Sequence, residues 1–233
     1  MPRSVVKNAP YSTDVVTDNV QTLPDGNHIR QSATVKVYRD SEGRTRREQS
    51  VNLNGLGGNS NMPQVVFIND PVAGMNYALN PKDHTGTKTT STPGAGRMGQ
   101  GRGQGGPERG GPRIVDGQRV RPDQNMKTEE LGRQTMEGLQ VEGRRVTLTI
   151  PAGRMGNEQP IQIVTESWYS PELQVTVLSK RSDPRSGEST TRMTNISRSE
   201  PAKLLFEPPA DYKITESAGR IPRPRSSQSP QQK

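Results

Sequence analysis

His28 and His84 are the only imidazoles of this 233-residue chain, and there is no cysteine. Cysteine nucleophiles, thiolate zinc sites and disulfides are therefore excluded. His28 follows a turn, and His84 lies in a loop of Pro, Asp and Thr. Neither belongs to an H-E-x-x-H, G-x-S-x-G or paired-carboxylate pattern. No catalytic set is read, and an enzyme is not expected. Gly94-Ala95-Gly96-Arg97-Met98-Gly99 spells G-x-G-x-x-G. A dinucleotide site needs a strand before that motif and a helix after it. The surrounding residues suit neither, so no cofactor is expected. Asp183-Pro184-Arg185-Ser186-Gly187-Glu188 lacks the acid spacing of a calcium loop and reads as a β-turn, leaving no metal site. Asn195-Ile196-Ser197 spells a glycosylation sequon, which has meaning only on a eukaryotic secretory route.

The net charge is +8, and its placement matters more than its size. Within residues 91–122, Arg97, Arg102, Arg109, Arg113, Arg119 and Arg121 stand against Glu108 and Asp116. From residue 217 on, Arg220, Arg223, Arg225 and Lys233 stand against no acid. These two segments carry the whole surplus, so the rest of the chain is neutral. A folded basic face for nucleic acid is thus not expected. Arg97, Arg102, Arg109 and Arg113 are candidate contacts to an anionic surface, because arginine among glycines reaches phosphates. No aromatics alternate with them, and a solvated loop is the favoured reading of that tract.

The elements that would position any site are strands. Val146, Leu148 and Ile150 alternate with Thr147 and Thr149, the period of a half-buried strand. A turn-rich loop at 151–160 follows, then a strand from Ile161 to Tyr169 with the only Trp, Trp168. Ser170-Pro171-Glu172 reverses the chain, and Leu173, Val175 and Val177 alternate again. Earlier, Pro24-Asp25-Gly26-Asn27 and Ser41-Glu42-Gly43 mark hairpins between Tyr11–Leu23, His28–Asp40 and Arg44–Leu53. Gln64–Asn69 is the most apolar short run; Met75–Leu79 and His84–Thr90 follow it. Met126–Met136 leads through Glu137-Gly138 into a long strand with an expected bulge at Gly143. Ser199-Glu200-Pro201 is read as the cap and first turn of a single helical turn.

This pattern predicts an all-β, mainly antiparallel protein: a strongly curved meander sheet or incomplete β-barrel with at most short helices. One β domain spans 11–216, after a disordered lead at 1–10. It is interrupted by a disordered Gly/Arg-rich insertion at 91–124 and followed by a disordered tail at 217–233. With hydrophobic residues at 27% and mean hydropathy −0.92, a thin core and a groove are expected rather than a filled barrel. Val65, Phe67, Tyr77, Val146, Leu148, Ile163, Trp168 and Val175 are the candidate groove lining.

Several phrases together resemble a group of uncharacterised bacterial proteins made with a signal peptide. They are YRDSEGRTRRE (38–48), INDPVAGMNYALNP (68–81), IPAGRMGNEQPI (150–161), ESWYSPELQ (166–174), SKRSDPRSGE (179–188) and LFEPPADYK (205–213). More distantly, the order of elements resembles the periplasmic lipoprotein-carrier and sigma-factor-regulator superfamily. That resemblance implies a half-barrel whose concave face holds a lipid or peptide, in a periplasmic or secreted protein. No signal peptide is visible at the N-terminus, so the cytoplasm is the alternative compartment. The functional expectation is a non-enzymatic extracytoplasmic binding or sensing module for a lipid-like or envelope-derived ligand. The alternative is a structural module that binds an envelope protein through sheet edges and the Arg/Gly-rich loop.

Overall fold

The computed structural model describes residues 5–50, 64–90, 114–115, 118–119 and 125–216. They form β1 (Tyr11–Thr22), β2 (His28–Arg39), β3 (Thr45–Ser50), β4 (Gln64–Asp70), β5 (Met75–Asn80), β6 (Thr85–Thr90), β7 (Ile114–Val115) and β8 (Gln118–Arg119). β9 (Met126–Met136), β10 (Leu139–Ile150), β11 (Ile161–Ser170), β12 (Val175–Asp183), β13 (Gly187–Ser197) and β14 (Lys213–Glu216) follow. Twelve of these make one sheet in the order β14-β6-β5-β4-β3-β2-β1-β13-β12-β11-β10-β9. The expected all-β architecture is what forms, and the sheet does not close into a barrel.

The sheet is two meanders joined side by side. β1 to β6 are sequential neighbours, as are β9 to β13, and the β1–β13 ladder joins the two sets. Short polar turns make this possible. The Asp25 carboxylate accepts the Asn27 N–H at 2.9 Å, and Asp70 accepts from Val72 and Ala73, both at 2.9 Å. Such Asx contacts satisfy backbone donors where no strand partner exists. The connection from β6 to β9 joins positions at opposite ends of the sheet. Ten strand spacings would be roughly 48 Å if the sheet were flat, so a long connection there follows from the topology. The Gly/Arg-rich stretch of 91–124 and the tail of 217–233 lie outside the described residues, apart from the two-residue β7–β8 ladder.

Curvature is visible in contacts that a flat sheet forbids. Arg39 on β2 donates to the carbonyl of Leu173, in the β11–β12 turn. Three strand spacings, about 14 Å when flat, separate β2 from β12. Bulges sharpen the bend. Between β11 and β12 the register passes from Trp168↔Leu178 to Tyr169↔Thr176, leaving Val177 extra. The bulge expected at Gly143 sits instead on the partner strand: Gly143 pairs Gly132 and Arg144 pairs Glu130, so Leu131 is extra. Gly132 takes φ +82°, which a side chain would resist.

Two apolar clusters hold the sheet, and they meet opposite sides of β2. Val66 and Ile68 of β4 pack with Leu79 and Phe206, flanked by Tyr38, Tyr77, Leu205, Tyr212 and Ile214. The other cluster is Tyr11, Leu139, Val141, Leu173, Val177 and Met193, flanked by Val15, Val37, Met136, Trp168, Val175 and Ile196. Tyr38 and Val37 are consecutive on β2, so their side chains point to opposite sides.

Two local expectations need correction, and one pairing is new. The helical turn is a 3-10 turn at Lys203–Phe206, preceded by Ala202 without a side-chain cap. Ser199 is not its cap; the buried Phe206 anchors the turn. Residues 5–10, expected in a disordered lead, are tied down: Asn8 N–H donates to Ser41 O at 2.8 Å, and Ala9 is buried. Lys213–Glu216 adds β14 parallel to β6, with Lys213 opposite Thr85. This long-range pairing carries no local signal.

Candidate functional site

The curled face around the Tyr11 cluster is the candidate site. One continuous row crosses it: Val65 pairs Gln49, Gln49 pairs Val35, Val35 pairs Val15, and Val15 pairs Met193. A second row runs Thr17, Thr191, Ser179, Ser167 through β1, β13, β12 and β11. These hydroxyl residues are half-buried, and the hydroxyls of Thr17 and Thr191 lie 3.1 Å apart. The face therefore grades from apolar side chains to small hydroxyls.

Trp168 lies on β11 against Gly143 of β10, its cross-strand partner. A Cβ added at Gly143 would stand 2.4 Å from Trp168 Cζ3. Only glycine lets the indole lie across the neighbouring strand, and the indole packs against the Tyr11 cluster.

At the lower rim sits Arg39, only 6% exposed. Its Nε donates to Ala9 O at 2.9 Å, and its Nη2 donates to Leu173 O. The guanidinium carbon lies 4.6 Å from the centre of the Tyr11 ring, within cation–π range. No carboxylate pairs with Arg39 among the described residues. Burial lowers its pKa from the ordinary guanidinium value, opposed by the nearby Tyr11 and Tyr169 phenols. Burial also raises the Tyr11 pKa, opposed by Arg39.

The eight candidate groove residues fall into separate groups. Trp168 and Val175 flank the Tyr11 cluster. Val65 and Phe67 lie on the Val15 side further along the sheet, Val65 in the row just traced and Phe67 paired through Arg47 to Val37. Phe67 is 41% exposed. Val146, Leu148 and Ile163 sit together toward the other end of β10 and β11, with Leu148 opposite Ile163. Ile163 is buried, whereas Leu148 is exposed. Tyr77 departs from the set: it pairs with Ile68 and belongs to the cluster under Phe206, on the opposite face. Arg97, Arg102, Arg109 and Arg113 lie outside the described residues. Sequence reasoning missed Arg39 and Tyr11. A lone Arg at a strand end carries no local mark of burial.

The histidines take part in local contacts. His28 Nδ1 is 3.1 Å from the Thr22 hydroxyl. His84 Nδ1 is 2.7 Å from Asp211, with its ring stacked on Tyr212 at 5.3 Å. Both partners of the His84–Asp211 pair are more than half exposed. Among the described residues, no three His, Asp or Glu gather as a metal site.

No protein-family model and no curated protein matches the chain. Solved structures do. An uncharacterized conserved protein from Thermus thermophilus aligns with TM-score 0.43 at 8% identity, over 90% of this chain and 91% of that one. The MucA/MucB complex of Pseudomonas aeruginosa gives 0.43 at 10% identity over 91% of this chain, which spans only 59% of that one. A LolA superfamily protein from Nitrosomonas europaea gives 0.34 at 8% identity, over 87% and 92% of the two chains. A LolA superfamily protein and MucB thus stand among the structural neighbours. Likenesses of this strength transfer no ligand, partner or site residue.

Proposed function

We propose that this chain is a non-enzymatic, extracytoplasmic binding module whose curled face takes an apolar or amphipathic, envelope-derived ligand. One contrast carries the reading. The Phe206 cluster is covered by a segment from outside the sheet. The Tyr11 cluster draws its members from strands and the β11–β12 turn, and its rim residues Val15, Val37, Trp168 and Val175 stay half-buried. A half-buried apolar rim beside small hydroxyls suits a ligand with an apolar stem. Trp168 reports on it, because no other tryptophan contributes. Titration with a fluorescent acyl probe should change Trp168 emission, and unlabelled acyl ligands should displace the probe. A chain that keeps its Trp168 spectrum and binds no acyl probe would sink the reading.

A second reading has its own observation. β9 is an eleven-residue edge strand paired only with β10. Such an edge can accept a partner strand by backbone pairing. Proline in place of Gln134 would block strand addition at that edge. It should leave acyl-probe binding intact and abolish capture of an envelope protein under this reading alone.

A further inference from the structure

β9 ends the twelve-stranded sheet: among the described residues, Met126–Met136 pairs only with β10. Open edges are normally kept from pairing by charges and bulges. β9 has both, in Lys127, Glu129, Glu130 and Arg133 and in the extra residue Leu131. Their arrangement nevertheless matches itself.

The bulge decides which residues share a face. Glu130 stands opposite Arg144, and Arg133 stands opposite Glu142. Arg144 and Glu142 are two apart on β10 and share a face. Glu130 and Arg133 therefore share it too, although they are three apart on β9. Thr128, opposite Val146, and Thr135, opposite Gln140, belong to that face. Lys127, Glu129, Gln134 and Met136 belong to the other, opposite Thr147, Arg145, Val141 and Leu139.

A regular antiparallel ladder joins residues of one face. A second β9 can meet the first about a two-fold axis between Leu131 and Gly132. Residue 130 then pairs with 133, 129 with 134, 128 with 135 and 127 with 136, and every pair keeps to one face. An axis through Leu131 would instead set Glu129 against Arg133, which lie on different faces. In the matched register the charges alternate across four strands: Glu142, Arg133, then Glu130 and Arg144 of the second copy. The two-fold axis repeats that row. Its first step already exists, with Arg133 Nη2 2.8 Å from Glu142. Leu131 meets Gly132, where an added Cβ would find nothing within 4 Å.

We infer that the β9 edge is a self-association surface whose occupant is β9 of a second copy of this chain, in that register. The inference rests on the reading of β9 as a strand-accepting edge and names the partner.

The test is sedimentation equilibrium of the full chain, one copy of which has a mass of 25.6 kDa. The wild type should form a concentration-dependent dimer. Glu130→Arg and Arg133→Glu should each weaken it about tenfold or more, because each sets like charges together twice. Mixed, the two variants should recover it as a heterodimer. Native Trp168 emission checks that each variant folds. Disulfide trapping then reads the register, since the chain has no cysteine of its own. Thr128→Cys mixed with Thr135→Cys should cross-link under mild oxidation. Thr128→Cys alone should not, because its two copies would lie roughly 23 Å apart. A wild type that stays monomeric up to its solubility limit would overturn the inference. Capture of an envelope protein, blocked by Gln134→Pro, would then show that the edge still takes a different strand. A dimer indifferent to both charge reversals, or trapped by Thr128→Cys alone, would overturn the inference as well.

Discussion

The two apolar clusters of the one sheet are finished by different means. The cluster under Phe206 is closed by chain that returns after the last long strand. Phe206 is 1% exposed, Arg46 donates to Leu205 O at 3.0 Å, and Arg44 lies 5.7 Å from the Phe206 ring. Asp40, 1% exposed, holds Arg44 at 2.5 Å and accepts the Glu42 and Arg44 backbone N–H groups. The Tyr11 cluster is closed by bending the sheet, with a bulge at Val177 and an indole over Gly143. One cluster is capped by chain from outside the strands, whereas the other draws its cover from the strands and their turn.

The largest expected effect tests the covered side. Phe206→Ala removes its central side chain and should cost about 3–5 kcal/mol in urea unfolding. The native Trp168 emission should not change, because the tryptophan packs with the other cluster. A shifted native spectrum would mean that the two clusters are one unit. Gly143→Ala attacks the bent side. The added methyl meets Trp168 at 2.4 Å, and the loss should be about 1–3 kcal/mol, with a clear change in Trp168 emission. An unchanged spectrum would show that the indole does not lie across the strand.

A smaller effect tests the far end of the bent half, where charge rather than apolar contact holds the β12–β13 turn. Asp183 is 4% exposed and accepts from Arg185 Nε at 2.9 Å and Nη2 at 2.8 Å. The Arg185 side chain, first of all, draws the Asp183 pKa down to about 2. A carboxylate depressed on folding stabilises above its unfolded pKa, about 3.9, and that contribution is lost as pH falls through about 2. Asp183→Asn should therefore be less stable than wild type at neutral pH, and the two stability curves should converge below about pH 4. Curves that stay parallel down to pH 2 would break the assignment. Smallest is Val175→Ala on the rim. It should cost less than about 1 kcal/mol, since the side chain is only half-buried, yet lower acyl-probe affinity severalfold. Equal affinity would detach the rim from the ligand.

The strands were legible because their turns are. Asp25-Gly26 and Glu137-Gly138 punctuate alternating runs, and β1, β5, β9 and β11 begin at the residues where the pattern placed them. Face was harder to read than strand. In Gln64–Asn69 the apolar residues are continuous, so the pattern does not tell the buried pair, Val66 and Ile68, from Val65 and Phe67. Bulges hid parity elsewhere: one extra residue at Val177 brings odd-numbered Val177 and even-numbered Trp168 into one cluster. What depended on sequence separation could not be read at all. Arg39 reaches a carbonyl at Leu173, and Lys213 returns to pair beside Thr85.

The joining of opposite sheet ends through residues 91–125 has a mechanical outcome. A protease cut in that stretch would separate β1–β6 from β9–β14 covalently, yet the pieces would still grip at two seams. One is the β1–β13 ladder from Ser12 to Val20; the other is the β14–β6 pairing at Lys213–Glu216. The nicked halves should co-purify, which makes this scaffold divisible into two reassembling fragments.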